Sequence, residues 1–172
     1  MKEMLLVRYG EIALKGKNIR TFERKLISNI RKAISDIPDT IIHDQRGRVV
    51  IEHELQDQEA LIKAVTKVFG IVSVSPATRL DRDIEAIKEG CLNLLKKMID
   101  ENGVKSFKVE ARRADKHYPL NSPEINHTVG GYLFKNLQPI RVDVNNPEVV
   151  IHIEIRDYAY VFIKKIPGLG GM

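Results

Sequence analysis

The sequence predicts an α+β protein built as two successive units, and three observations carry that expectation. Apolar residues alternate with polar ones over short stretches such as 107–112, the period of a strand with one covered face. They recur at steps of three and four over longer stretches such as 19–37, the period of a helix with one buried stripe. The succession of the two patterns closes near residue 80 and then restarts.

Residues 4–8 form a short apolar run of strand character, closed by Tyr9-Gly10, and a loop through Lys15-Gly16-Lys17-Asn18 follows, with Asn18 as a cap for the next helix. There Ile19, Phe22, Leu26, Ile30, Ala33 and Ile37 trace one stripe, while Lys17, Arg20, Arg24 and Arg31 fall on a strip roughly opposite, until Pro38-Asp39 ends the helix. Residues 40–43 and 48–52 read as strands joined by a turn around Gln45-Arg46-Gly47. A second helix over 57–69 stops at Gly70, and a strand over 71–78 is interrupted late by Pro76. The order β-α-β-β-α-β is the ferredoxin-like plan.

A helix from Asp81 or Asp83, with Ile84, Ile87, Cys91, Leu94, Leu95 and Met98 as its stripe, ends at Asn102-Gly103. A basic strand follows, then a loop broken by Pro119. The next helix is capped by Ser122 with Pro123 at its first position. Gly130 and Gly131 sit inside that helix, each at a cost of about 1 kcal/mol against Ala. Either the helix packs closely on its sheet or bare backbone serves an approaching RNA chain. Strands over 140–144, 149–156 and 158–166 complete an α-β-α-β-β-β unit. The domains expected are therefore 1–80, 81–166 and, in the Pro-Gly-Leu-Gly-Gly-Met stretch 167–172, the start of a flexible connector.

With 172 residues, 43% of them hydrophobic, the chain can bury a core, and no apolar run reaches the length of a membrane span. The single cysteine, Cys91, lies on an apolar stripe and reads as a buried, inert thiol, in keeping with a reducing, cytoplasmic location. The net charge of +5 is unevenly spread. Residues 1–36 carry nine Lys/Arg against four Asp/Glu, and residues 104–118 carry five against two. Segregated basic regions favour a polyanionic partner.

The second region is the candidate site. Lys108, Arg112, Arg113, Lys116, His117 and Tyr118 bring cations, an imidazole and a phenol to a strand end and its loop. Guanidinium forks hold phosphate oxygens, and a ring stacks on an exposed base. Arg112, Arg113 and Lys116 are assigned to phosphates, Lys108 to the flank, and His117 or Tyr118 to stacking; Lys15, Lys17 and Arg24 form a second, weaker rail. Catalytic signatures are missing: no zinc spacing, HExxH, GxSxG or P-loop occurs, and Glu11 reads as an acceptor for loop amides. The residues thus describe a binding module, with RNA favoured over DNA, or alternatively a protein-docking or dimerisation domain with basic faces.

RYGEIALKGKN (8–18) resembles the N-terminal signature of the ThiI family, the tRNA 4-thiouridine synthetases. VEARRADKHYPLNSPEINHTVGGYL, NPEVVIHIEIRD and PGLGGM resemble that family's THUMP domain and the segment leading out of it, in the family's order. The resemblance implies a ferredoxin-like domain followed by THUMP, together gripping a tRNA acceptor stem with THUMP on the 3′ CCA end. The family's thiolation of uridine 8 uses a PP-loop domain with ATP and magnesium, and a cysteine desulfurase as partner; the SGGxDS-type motif of that domain is not in this chain. The resemblance further implies no cofactor for this stretch, thiamine-linked sulfur transfer for the whole protein, and a homodimer as one form of it. A THUMP pattern by itself also fits other tRNA-modifying enzymes. One departure is Ile19, where the family usually has Arg; Arg20 follows it.

Overall fold

The computed structural model describes residues 2–10 and 19–169. They divide into two compact units, one of Thr78–Ile163 and one of Lys2–Ala77 together with the segment from Lys164. The readings placed on Glu11, Lys15, Lys17 and Asn18 lie outside the described residues.

In the N-terminal unit the elements are β1 (Lys2–Tyr9), α1 (Ile19–Ala33), β2 (Ile41–Asp44), β3 (Arg48–Glu52), α2 (Gln58–Val65) and β4 (Ile71–Leu80), in the order β-α-β-β-α-β expected of a ferredoxin-like fold. The strands lie in the order β2-β3-β1-β4, with β3 antiparallel to β1 and β2 and Leu5 opposite Ile51. Leu5, Val7, Leu26, Ile30, Val49, Ile51, Leu61, Val65, Ile71 and Val74 form the core under the two helices.

Two helices stop before their apolar stripes do. α1 ends at Ala33, and Ile37 closes a turn onto the Ile34 carbonyl at 2.9 Å, because a residue before proline is pushed out of the helical region. α2 ends at Val65, where the Thr66 hydroxyl donates to the Ile62 carbonyl at 2.7 Å, giving the chain a local alternative to another helical turn. Conversely β4 runs on through Pro76 to Leu80, since the ring's fixed φ suits extended backbone and only one donor is lost.

The end of the chain departs most from expectation. The single strand predicted over 158–166 is split, and β9 (Ile166–Pro167) pairs antiparallel with β4. Gly168 N–H donates to the Val72 carbonyl at 2.8 Å and Leu169 N–H to the Thr66 carbonyl at 2.9 Å. Residues 167–169 are therefore held by hydrogen bonds rather than forming the start of a loose connector.

The second unit contains α3 (Ile84–Asn102), β5 (Ser106–Arg113), α4 (Ser122–Asn136), β6 (Arg141–Val142), β7 (Val149–Ile155) and β8 (Ala159–Phe162). Its strands run β8-β7-β5-β6, with β5 parallel to β6 and β7 and β8 antiparallel to β7. β6 is two residues long rather than the five expected over 140–144. Ile87, Cys91 and Leu95 of α3 and Ile125, Val129 and Leu133 of α4 bury against Phe107, Val109, Ile151 and Ile153. Burial pushes the Cys91 thiol up to about 12, so it stays protonated and unreactive.

α4 begins one residue earlier than expected: the cap is Asn121, whose side chain accepts from Glu124 N–H at 2.9 Å while the Glu124 carboxylate accepts from Asn121 N–H at 2.9 Å. Close packing does not explain the glycines of this helix. A Cβ at Gly130 would meet Val109 at an ordinary 3.9 Å, and one at Gly131 would meet nothing within 4 Å. Gly168 is the opposite case, since its Cβ would lie 2.4 Å from the Ile71 carbonyl oxygen. Gly131→Ala should therefore raise the unfolding free energy by about 1 kcal/mol, and Gly168→Ala should lower it; denaturant melts of the two variants check the opposite signs.

Candidate nucleic-acid interface

β5 alternates as the sequence requires. Phe107, Val109 and Ala111 face the core, and Lys108, Glu110 and Arg112 face away from it. The pleat also puts Arg112 and Arg113 on opposite sides, so the two neighbouring arginines do different work. Arg112 is exposed, and no described residue takes its guanidinium in an ion pair. Arg113 turns into the loop, where Nη1 donates to the Lys116 carbonyl at 2.9 Å and the Tyr118 carbonyl at 3.1 Å. It holds the loop's backbone.

The loop is tied a second time by Arg82, just ahead of α3. Its Nη2 donates to Asp115 Oδ2 at 2.6 Å, its guanidinium lies 5.5 Å from the centre of the Tyr118 ring, and its carbonyl accepts the Tyr118 hydroxyl. Asp115 Oδ1 in turn accepts from His117 N–H at 2.9 Å. The Arg82 bond first, and the His117 N–H after it, hold the Asp115 carboxyl below the usual carboxylate range. Burial pushes the Tyr118 phenol up, helped by the charge of Asp83.

These contacts correct two expectations, the first at Arg113: expected to hold phosphates, its guanidinium is engaged on the loop's own carbonyls. Tyr118 is 7% exposed and packs into the core of its unit, so its ring is not a stacking platform. His117, the other ring expected to stack, is exposed beside exposed Lys116. Lys108 shares its face with Glu110, 3.9 Å away, which softens its charge. Glu110 also lies 3.6 Å from His152, whose ring stacks on Phe162 in a structural role.

Sequence reasoning missed Arg82 and Asn126. Asn126 Oδ1 accepts the Ala111 N–H at 2.7 Å and so fixes α4 to β5. A polar residue beside the apolar stripe of α4 was the available signal for it; Arg82, 33 positions from Asp115, had none.

In the N-terminal unit, Arg20, Arg24 and Arg31 are exposed on α1, as the helical strip predicted. Among the described residues no group of three or more His, Cys, Asp or Glu is placed to hold a metal ion. No helix among them is long and apolar enough to cross a membrane.

Comparison with known proteins places both units. Residues 4–75 match the family model of the ThiI ferredoxin-like domain and residues 81–164 that of the THUMP domain. Over its full length the chain is 45% identical to a probable tRNA sulfurtransferase of Alkaliphilus metalliredigens and 47% identical to one of Moorella thermoacetica. It spans only 44% and 43% of those relatives. Among solved structures it resembles PH1313 from Pyrococcus horikoshii, at 35% identity and a TM-score of 0.87, with 99% of this chain and 56% of that one covered. It also resembles a 4-thiouridine synthetase in complex with RNA and bound ATP, at 31% identity and a TM-score of 0.84, with 99% of this chain and 43% of that one covered.

The bonds to Arg82 make the loop's order depend on pH. Because the folded Asp115 carboxyl titrates below its unfolded value, its contribution is present above the ordinary carboxylate range and is lost as pH falls through the depressed value. Amide-exchange protection of residues 114–118 should therefore persist at neutral pH and decline only below about 3.9, the ordinary Asp value. Asp115→Asn should remove that protection at neutral pH while leaving α3 and α4 protected.

Proposed function

The chain belongs to the ThiI family, of which it carries the ferredoxin-like and THUMP domains, and from that premise we propose that it is the RNA-binding portion of a tRNA sulfurtransferase. It holds the acceptor stem and 3′ CCA end of a tRNA so that uridine 8 is thiolated by a PP-loop domain lying elsewhere in the whole protein. ATP and magnesium belong to that domain. A cysteine desulfurase supplies the sulfur, the whole protein also serves sulfur transfer to the thiamine thiazole, it works in the cytoplasm, and it pairs as a homodimer.

One observation carries the reading. Arg112, Lys116 and His117 stand exposed on a loop whose backbone is already fixed by Arg113, Asp115 and Arg82. The groups that would meet RNA carry no structural duty, and the groups that order the loop are satisfied within the protein. Such preorganisation lowers the ordering cost of binding. Phosphate contacts from Arg112 and Lys116 position the strand, and the His117 ring stacks on a base of the single-stranded end. The exposed, uncrowded Gly131 on α4 fits a helix face that an RNA backbone approaches.

Affinity for an acceptor-stem minihelix, measured with and without its 3′ single strand, tests the proposal. The form with the overhang should bind more tightly, and Arg112→Ala should reduce the slope of log affinity against log salt by about 1. Equal affinity for both RNAs removes the CCA assignment; no binding at low salt removes the function.

A further inference from the structure

The turn joining β7 to β8 brings a tyrosine to the same sheet end as the basic loop. β5 and β7 run parallel, with Arg113 opposite Ile155, and Ala114 N–H donates to the Ile155 carbonyl at 2.8 Å. The loop carrying Lys116 and His117 and the turn of Arg156, Asp157 and Tyr158 therefore leave one bonded point, on strands about 4.8 Å apart. All of these residues lie within the unit Thr78–Ile163.

The turn is built without help from the tyrosine ring. Arg156 N–H donates to the Tyr158 carbonyl at 2.8 Å, and Asp157 Oδ1 accepts from Tyr158 N–H at 3.0 Å and from the Tyr160 hydroxyl at 3.2 Å. Asp157 supplies the side-chain bonding that a turn uses. No described residue bonds the Tyr158 hydroxyl, and the residue is 37% exposed.

A guanidinium lies over this ring: Arg79 Cζ is 4.2 Å from its centre. Three residues on, Arg82 stands 5.5 Å from the Tyr118 ring, so two arginines close together in the chain each meet a tyrosine. The two pairs differ in what the ring has left to do. Tyr118 is buried with its hydroxyl on the Arg82 carbonyl, whereas Tyr158 is held on one face and meets solvent elsewhere. A large ring seated on an arginine, exposed at a turn it does not build, is a platform for another flat, polarisable group.

We propose that Tyr158, seated on Arg79, stacks a base of the single-stranded 3′ end, as a second ring beside His117. The inference rests on the RNA-binding reading above and adds to it a residue that tells unpaired bases from a duplex. Paired bases are stacked on one another, while an overhang offers a bare face. Aromatic stacking accepts every base, so the platform selects for strandedness and not for sequence.

Tyr158→Ala in the 172-residue chain should weaken binding of the acceptor minihelix with its overhang by about tenfold. The salt slope should stay at its wild-type value, because no phosphate contact is lost. Affinity for the blunt minihelix should not change, amide-exchange protection of residues 114–118 should persist, and Tyr158→Phe should bind as the wild type does. Wild-type affinity for the overhang form in Tyr158→Ala overturns the assignment, as does an equal loss for both RNAs. A loss accompanied by deprotection of 114–118 also overturns it, since the ring then serves only the loop. If the wild type prefers the overhang form and Tyr158→Ala keeps that preference, only the platform fails; if the wild type has no such preference, the CCA reading fails with it.

Discussion

The bond between Arg82 and Asp115 is the constraint on which the candidate interface depends. One guanidinium meets a carboxylate, lies against the face of Tyr118 and follows a carbonyl that accepts the same tyrosine's hydroxyl. Each contact alone is modest, because the pair is partly exposed and screened. Together they join residues 33 positions apart and turn a loop with a proline in it into a defined surface. With the backbone so fixed, Arg112, Lys116 and His117 extend outward without having to order anything.

A division of labour runs through both units. In the loop after β5, Arg113 is turned inward on carbonyls while its neighbour Arg112 is left to solvent. At the β2–β3 turn, Glu23 and the Tyr9 hydroxyl tie the turn to α1 and Asp44 accepts the Arg46 N–H, while Arg20, Arg24 and Arg46 are left to solvent. Charges that shape the protein are bonded to backbone, to a buried ring or, at Arg82 and Asp115, to each other. The exposed arginines make none of those bonds and stay solvated, free of the desolvation cost that burial would impose.

How much of this was legible in the sequence follows from the range of each signal. Periodicity located α1, α3, β5 and β7 and their buried stripes, because amphipathic patterning is local and the core obeys it. Boundaries slipped where a single side chain chose an alternative: Thr66 ended α2, Asn121 rather than Ser122 capped α4, and Ile37 left the helix ahead of Pro38. β9 was invisible as a separate strand, since its partner Val74 is remote in sequence and the glycine that follows it, Gly168, is needed for a close approach seen only in three dimensions. The basic strand and loop were identified from charge and turn chemistry alone. The sequence could not tell that Tyr118 is core, because a phenol among cations reads as exposed until its hydroxyl finds a carbonyl in another segment.

Folding alone gives these exposed arginines little to do. An exposed, unpaired guanidinium adds almost nothing to the stability of a unit whose core is already closed by Leu5, Ile30 and Ile51, or by Ile87, Val129 and Ile151. Arg46 goes further, since its positive φ works against the fold. Alternatives that cost the protein less exist at each position: a glycine at the turn, any small polar residue at 112 or 116. Under the RNA-binding proposal these cations meet a densely charged, flexible polyanion, the partner that rewards several such weak contacts at once.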